Sequence, residues 1–266
     1  MSAALLLLAA LLLRPCLWAQ DSKDQAPSFS SDSIVNSASG SSTSLTPNTI
    51  ASIYGLRLAF GTEGVSLAQI GPGALPTTLQ GARITVGGRL SSLLYVSPTQ
   101  INFVIPADLP AGRTTVTLDR QSTSVQVQVT LLEAAPGLYV VDNGKLAAEH
   151  ADGKLITADN PALPSEIIVV FGTGLGRTDP RQVDGLIPRV AARALVTDRL
   201  RVLLDGQPLP LESVIYAGIT PGNPGLYQVN VRLPALIGKS QPELRVSVDD
   251  QASQSALLLP VAANNP

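Results

Sequence analysis

Gln100-Ile101-Asn102-Phe103-Val104-Ile105-Pro106 returns later in the chain as Gln228-Val229-Asn230-Val231-Arg232-Leu233-Pro234. Each stretch alternates polar and apolar side chains, the period-two pattern of a strand with one face buried. Upstream, Pro47-Asn48-Thr49-Ile50-Ala51-Ser52-Ile53-Tyr54-Gly55-Leu56-Arg57-Leu58 aligns without a gap on Pro164-Ser165-Glu166-Ile167-Ile168-Val169-Val170-Phe171-Gly172-Thr173-Gly174-Leu175. Between these pairs, Ile84-Thr85-Val86-Gly87-Gly88 matches Val202-Leu203-Leu204-Asp205-Gly206. A hairpin is expected to close each copy, turning near Asp119-Arg120 and near Asp249-Asp250. Matching order over roughly 100 residues marks a duplicated domain.

The fold class follows from alternation and turn chemistry. Ser124-Val125-Gln126-Val127-Gln128-Val129-Thr130-Leu131 and Leu244-Arg245-Val246-Ser247-Val248-Asp249 both read as half-buried strands. Asn143-Gly144, Asp152-Gly153 and Asp205-Gly206 are dipeptides that accept the positive φ of tight hairpins. One or two helical turns are expected within Arg189–Leu195, and no longer helix. About seven short strands per copy, with turns every 8–12 residues, predict an all-β chain of two tandem immunoglobulin-like β-sandwiches. They should span residues 33–134 and 135–263, joined near Leu132–Pro136. Their cores should contain Ile53, Val86, Phe103, Val127 and Val129, and then Val170, Leu204, Val229, Val231 and Val246.

These motifs resemble the uncharacterised Solibacter-type C-terminal domain family over about residues 33–262. The resemblance rests on the strands ending in Tyr54-Gly55 and Phe171-Gly172-Thr173-Gly174-Leu175-Gly176, and on the Gly-Gly and Asp-Gly hairpins. Leu94-Tyr95-Val96-Ser97-Pro98-Thr99-Gln100-Ile101-Asn102 and Gly225-Leu226-Tyr227-Gln228-Val229-Asn230-Val231-Arg232-Leu233-Pro234 carry it further. Ala135-Pro136-Gly137-Leu138-Tyr139 and Asn160-Pro161-Ala162 fit the family's middle section. The resemblance implies tandem β-domains of exported acidobacterial proteins, often C-terminal in longer chains, and no established activity. Here the pair is expected to stand alone behind a leader.

That leader is residues 1–19. Ala3–Leu13 is an apolar run of eleven residues, too short for the roughly 20 that span a bilayer and suited to a signal-peptide core. Arg14-Pro15 ends it, with cleavage expected after Ala19. Cys16 sits in a weak echo of a lipoprotein box, which the preceding proline fits poorly. Removing the leader removes the chain's single Cys, Trp and Met, so the mature fold must rest on aliphatic packing without a disulfide. Residues 20–32 are polar and read as a flexible spacer. No second apolar run follows, so no transmembrane segment is expected in the mature chain.

Composition narrows function. A net charge of −2, with 14% charged residues among 266, argues against nucleic acid as a partner. A hydrophobic share of 45% is enough for real cores and excludes wholesale disorder. With one histidine, His150, and no cysteine after the leader, a catalytic triad or imidazole metal cluster has few members to draw on. His150 is expected to be exposed and non-catalytic. Asp142, Asp152 and Asp159 lack the spacing of a calcium loop, and Asx turns account for them. Gly172-Thr173-Gly174-Leu175-Gly176 has the look of a phosphate-cradling loop, but Arg177-Thr178-Asp179-Pro180 follows where a helix would be needed. A strand-end turn or bulge is the reading preferred. No catalytic residue, cofactor or metal site is expected.

Two groups of residues remain as interaction candidates. Gln100 with Asn102, and Gln228 with Asn230, lie two apart and so share a strand face. They either hydrogen-bond a glycan or peptide strand, or satisfy backbone groups of a neighbouring loop, the preferred reading. Arg177, Arg181, Arg189, Arg193, Arg199 and Arg201 crowd 25 residues that hold three acids, whereas the aligned Gly61–Gln80 carries one charge, Glu63. This is either an anion-facing contact loop or, preferably, a solvated insertion. Carbohydrate binding leans on aromatic platforms, yet most of the five Tyr and four Phe fall at strand positions that look buried. The expected function is that of an exported, non-enzymatic adhesion or protein-interaction module whose partner is a protein or surface polymer. A carbohydrate-binding module is the alternative, and a hydrolase comes third.

Overall fold

The computed structural model describes residues 25–66, 70, 73–141, 144–262 and 264. The leader, Asp142 and Asn143 lie outside the described residues. The first half contains β1 (Ile34–Asn36), β2 (Ile50–Tyr54), β3 (Glu63–Gly64), β4 (Ala82–Val86), β5 (Arg89–Leu90), β6 (Ser92–Val96), β7 (Gln100–Val104), β8 (Gly112–Arg120) and β9 (Thr123–Leu131). The second contains β10 (Gly137–Leu138), β11 (Ala148–His150), β12 (Ile167–Thr173), β13 (Thr178–Asp179), β14 (Ala192–Ala194), β15 (Leu200–Leu204), β16 (Gln207–Pro208), β17 (Val214–Ile219), β18 (Tyr227–Arg232), β19 (Leu244–Val248) and β20 (Gln251–Ala252).

Each half is a sandwich of two antiparallel sheets. The first pairs β1-β2-β7-β6-β3 with β5-β4-β8-β9, and the second pairs β10-β12-β18-β17-β14-β13, with β11 also on β12, against β16-β15-β19-β20. Between the first two sheets lie Ile53, Leu93, Ile101 and Phe103 against Ile84, Val86, Val116 and Leu118. Between the second two lie Ile168, Val170, Val229 and Val231 against Val202, Leu204, Leu244 and Val246. The expected core residues are buried, except Val127, which is half-buried at the margin.

The halves repeat one another down to local irregularities. Ser52 faces Asn102 across β2 and β7, and Val169 faces Asn230 across β12 and β18. The next strand slips register in both copies, between Leu93 and Tyr95 on β6 and between Val214 and Tyr216 on β17. Asn48 and Ser165, aligned in the repeat, both enter their strands through positive φ, at 62° and 64°. Gly87-Gly88 and Asp205-Gly206 have positive φ at both central positions, as a type I′ turn requires. The closing hairpin of the first half turns at Gln121-Ser122, just past the expected place, because Arg120 pairs with Thr123. In the second half Val248 pairs with Gln251 around Asp249-Asp250, as expected.

The helical expectation fails. Arg189–Leu195 is not helical: its centre is β14, which buries Ala192 and Ala194 and turns Arg193 outward. A three-residue alternation between two small apolar residues suits an added sheet strand, and the tertiary pairing with β17 decides it.

The two sandwiches meet through buried polar contacts. Asn48 Nδ2 donates to the Tyr227 hydroxyl at 2.8 Å, and that hydroxyl in turn donates to the Gly176 carbonyl. Thr173 Oγ1 accepts from the Ile50 amide at 3.0 Å and donates to the Gly225 carbonyl at 2.7 Å. The glycine-rich stretch is therefore a strand-end turn within the junction. A Cβ on Gly174 would sit 2.3 Å from the Ala135 carbonyl oxygen, and one on Gly176 would sit 2.1 Å from that of Glu133.

Candidate functional site

Because Ile168, Val170, Val229 and Val231 point into the core, their neighbours Val169, Phe171, Gln228 and Asn230 point out. Register then sets what stands beside them. Val169, Asn230 and Tyr216 are opposite one another across β12, β18 and β17. Phe171, Gln228, Gly218 and Arg193 form the next row, reaching β14. Two groups that looked unrelated in sequence, the Gln228/Asn230 amides and Arg193, thus share one sheet face. Glu149, opposite Val169 on β11, extends it.

Within this face Gln228 Nε2 donates to Asn230 Oδ1 at 2.9 Å. Among the described residues no protein group bonds Asn230 Nδ2, and both amides are half-buried. The amides therefore bond one another rather than loop backbone, which corrects the preferred reading of them. The Tyr216 phenol reaches back over Gly218 to the Ala192 and Ile219 carbonyls, at 3.1 and 2.8 Å. A side chain at Gly218 would lie 2.6 Å from that hydroxyl. Burial pushes the Tyr216 pKa upward, with the Ala192 hydrogen bond and Arg193 opposing it. The Arg193 guanidinium lies 5.4 Å over the Tyr216 ring and donates to the Ile215 carbonyl at 3.2 Å, yet stays exposed.

The first half presents a neutral counterpart. Gln100 Nε2 donates to Asn102 Oδ1 at 2.9 Å, and the buried Ser52 hydroxyl donates to the same oxygen at 2.8 Å. Tyr54 stands opposite Gln100 and is 48% exposed, while Tyr95 stands opposite Asn102. The aromatics are therefore not uniformly buried: Tyr227 and Phe103 are, and Tyr54 is not. The sequence reading missed Tyr54 and Tyr216 as face residues. Their signal was period two, shared with the amides once the strands are paired.

The remaining arginines do other work. Arg181 pairs with Asp108 of the first half at 2.9 Å. Arg199 bridges Asp249 at 2.5 Å and Glu133 at 3.0 Å. Arg177 and Arg189 are exposed. The segment that carries them is largely solvated, as expected, but it is anchored: Asp184 accepts from the Ala107 amide at 2.7 Å and pairs with Arg89 at 2.7 Å. Its backbone also bonds Leu75 and Gly73. It is a polar clasp between the sandwiches, because acceptors within it are spent on the first half.

His150 is also corrected, since its side chain is 15% exposed. Nδ1 lies 2.5 Å from Glu166 Oε1 and Nε2 lies 3.3 Å from the Asn160 carbonyl. Burial opposes the charged ring, but the Glu166 hydrogen bond, the Asn160 carbonyl and nearby carboxylates outweigh it, so its pKa is raised. Asp152 closes an Asx turn on the Lys154 amide at 3.1 Å. Among the described residues no three His, Cys, Asp or Glu side chains gather as a metal site. No helix among them is long and apolar enough to cross a membrane.

No protein-family model matches the chain, and no curated protein matches it. Among solved structures, it is similar to the Bacteroides ovatus mixed-linkage glucan utilization locus protein SGBP-B in complex with a mixed-linkage heptasaccharide, at 12% identity and TM-score 0.30. That match covers 83% of this chain, which spans 42% of the other. The S-layer protein SbsC, domains 5–6, is similar at 12% identity and TM-score 0.26, over 90% of this chain and 100% of that one. Tandem immunoglobulin domains of titin are similar at 12% identity and TM-score 0.24, over 84% and 91%.

Proposed function

We propose that this chain is an exported, non-enzymatic binding module that offers its outer sheet faces to a partner protein or a cell-surface polymer. The domain limits proposed are 33–134 and 135–263, with kinship to the Solibacter-type family. One observation carries the reading: Phe171, Gln228, Asn230, Tyr216 and Arg193 form a continuous outer face whose Asn230 Nδ2 has no protein acceptor among the described residues. A flat face with amide donors, an aromatic and an arginine suits an extended ligand, which can lie across strands and meet several groups at once.

A carbohydrate ligand is the second reading, favoured by the exposed Tyr54 ring beside Gln100, because a sugar face stacks on such a ring while amides bond its hydroxyls. The test is the purified chain on a glycan array, alongside cross-linking to intact cells and identification of what is captured. Saturable glycan binding abolished by Tyr54→Ala selects the second reading. A cross-linked protein lost with Gln228→Ala/Arg193→Ala, in variants that melt as the parent does, supports the first. Binding unchanged by either set of substitutions overturns the assignment of these faces.

A further inference from the structure

Every sheet has two edges, and this protein guards nearly all of its own with short strands. Among the described residues β1 and β11 have three residues, and β3, β5, β10, β13, β16 and β20 have two. The exception is β9, nine residues long and paired in unbroken register, with β8 on one side and no strand on the other. It has no proline, no charge and no bulge, the devices that ordinarily blunt an edge. The two-residue turn makes Arg120 and Thr123 a mutually bonded pair. By the alternation of an antiparallel ladder, Ser124, Gln126, Gln128 and Thr130 then aim their N–H and C=O groups outward. Among the described residues no backbone group bonds them. Beside the C-terminal part of this edge lies an open cleft of about 520 Å³, bordered by Ser31, Ser42, Gln128, Thr130 and Gln251.

The strand is also nearly palindromic about Val127. Gln126 mirrors Gln128, Val125 mirrors Val129, and Ser124 mirrors Thr130. We propose that β9 is a self-docking edge, pairing antiparallel with β9 of a second copy about a two-fold axis at Val127. In that register Gln126 faces Gln128 of the second copy and Ser124 faces its Thr130. Every outward-facing residue thus meets an outward-facing partner, as a bonded ladder requires. A slip by one residue would set outward groups against inward ones, so few registers compete. The second sandwich makes no such offer, since the corresponding edge strand β20 has only two residues.

The test is sedimentation equilibrium of the chain across a concentration series, with circular dichroism to confirm folding. The wild type should form dimers. Gln126→Lys/Gln128→Lys puts like charges opposite each other twice across the axis and should weaken dimerisation about tenfold or more. Gln126→Lys/Gln128→Glu places opposite charges across the same axis and should restore it. Both positions are exposed, so the monomer fold should tolerate either pair. A monomeric wild type overturns the proposal, as does a dimer equally strong in both variants. A wild-type monomer that captures an unrelated extended peptide on β9 would assign the edge to another partner and would likewise overturn self-docking.

Discussion

At the level of single residues, the two Gln-x-Asn pairs look equivalent and should respond differently to mutation. Asn230→Ala leaves only the half-buried Gln228 amide to find water, so it should cost less than about 1 kcal/mol. Asn102→Ala also orphans the Ser52 hydroxyl, which is 2% exposed, and should cost about 1–2 kcal/mol. Parallel thermal melts will show a shift of several degrees for Asn102→Ala and a smaller one for Asn230→Ala. His150 makes a second residue-scale case. Glu166 Oε1 and the Asn160 carbonyl can only accept, so the ring meets both best when each nitrogen carries a proton. Asp152 adds to this, and the pKa is raised on folding. The contribution is complete below the ordinary imidazole value of about 6.5 and is lost as pH rises through the raised folded value. The difference in melting temperature between wild type and His150→Gln should therefore be largest in mild acid and shrink toward alkaline pH.

The element that most constrains its surroundings is the turn ending β12. Gly174 and Gly176 have φ of 90° and 75°, and each packs its α-carbon against a carbonyl of the connecting segment. Both the backbone conformation and the lack of space demand glycine. Gly174→Ala or Gly176→Ala should cost about 2 kcal/mol or more, read by chemical denaturation. Gly153→Ala, whose Cβ would meet nothing within 4 Å, is the control: it carries the strain of φ 82° alone and should cost less.

For the whole molecule, the question is whether two sandwiches behave as one. Tyr227, wholly enclosed, links Asn48 of one half to Gly176 of the other, and burial raises the pKa of its phenol. Asp184 ties the clasp to Ala107 and Arg89. The wild type should unfold in a single calorimetric transition, because neither half can open without exposing the other's buried polar groups. Tyr227→Phe/Asp184→Ala removes these two ties, leaves the Thr173–Ile50 and Arg181–Asp108 contacts in place, and should broaden the transition toward two steps. A single unshifted transition in that variant would show that the ties contribute nothing to coupling.

The alternation of Val229-Asn230-Val231, the Asp205-Gly206 turn and the gapless repeat were legible in the sequence, because strand periodicity and turn dihedrals depend on residues close along the chain. Those local rules carry the β class, the duplication and most of the core. They do not say which side of a strand another sheet will cover, so His150 was placed at the surface although its side chain is only 15% exposed. Nor do they say where a polar loop spends its hydrogen bonds. The stretch around Asp184 reads only as solvated until the first sandwich supplies the Ala107 amide, and the Gln228 amide has no evident neighbour until register brings up Arg193. Periodicity is a property of neighbours in sequence, whereas burial, pairing and the makeup of a face belong to residues that meet only after the chain has folded.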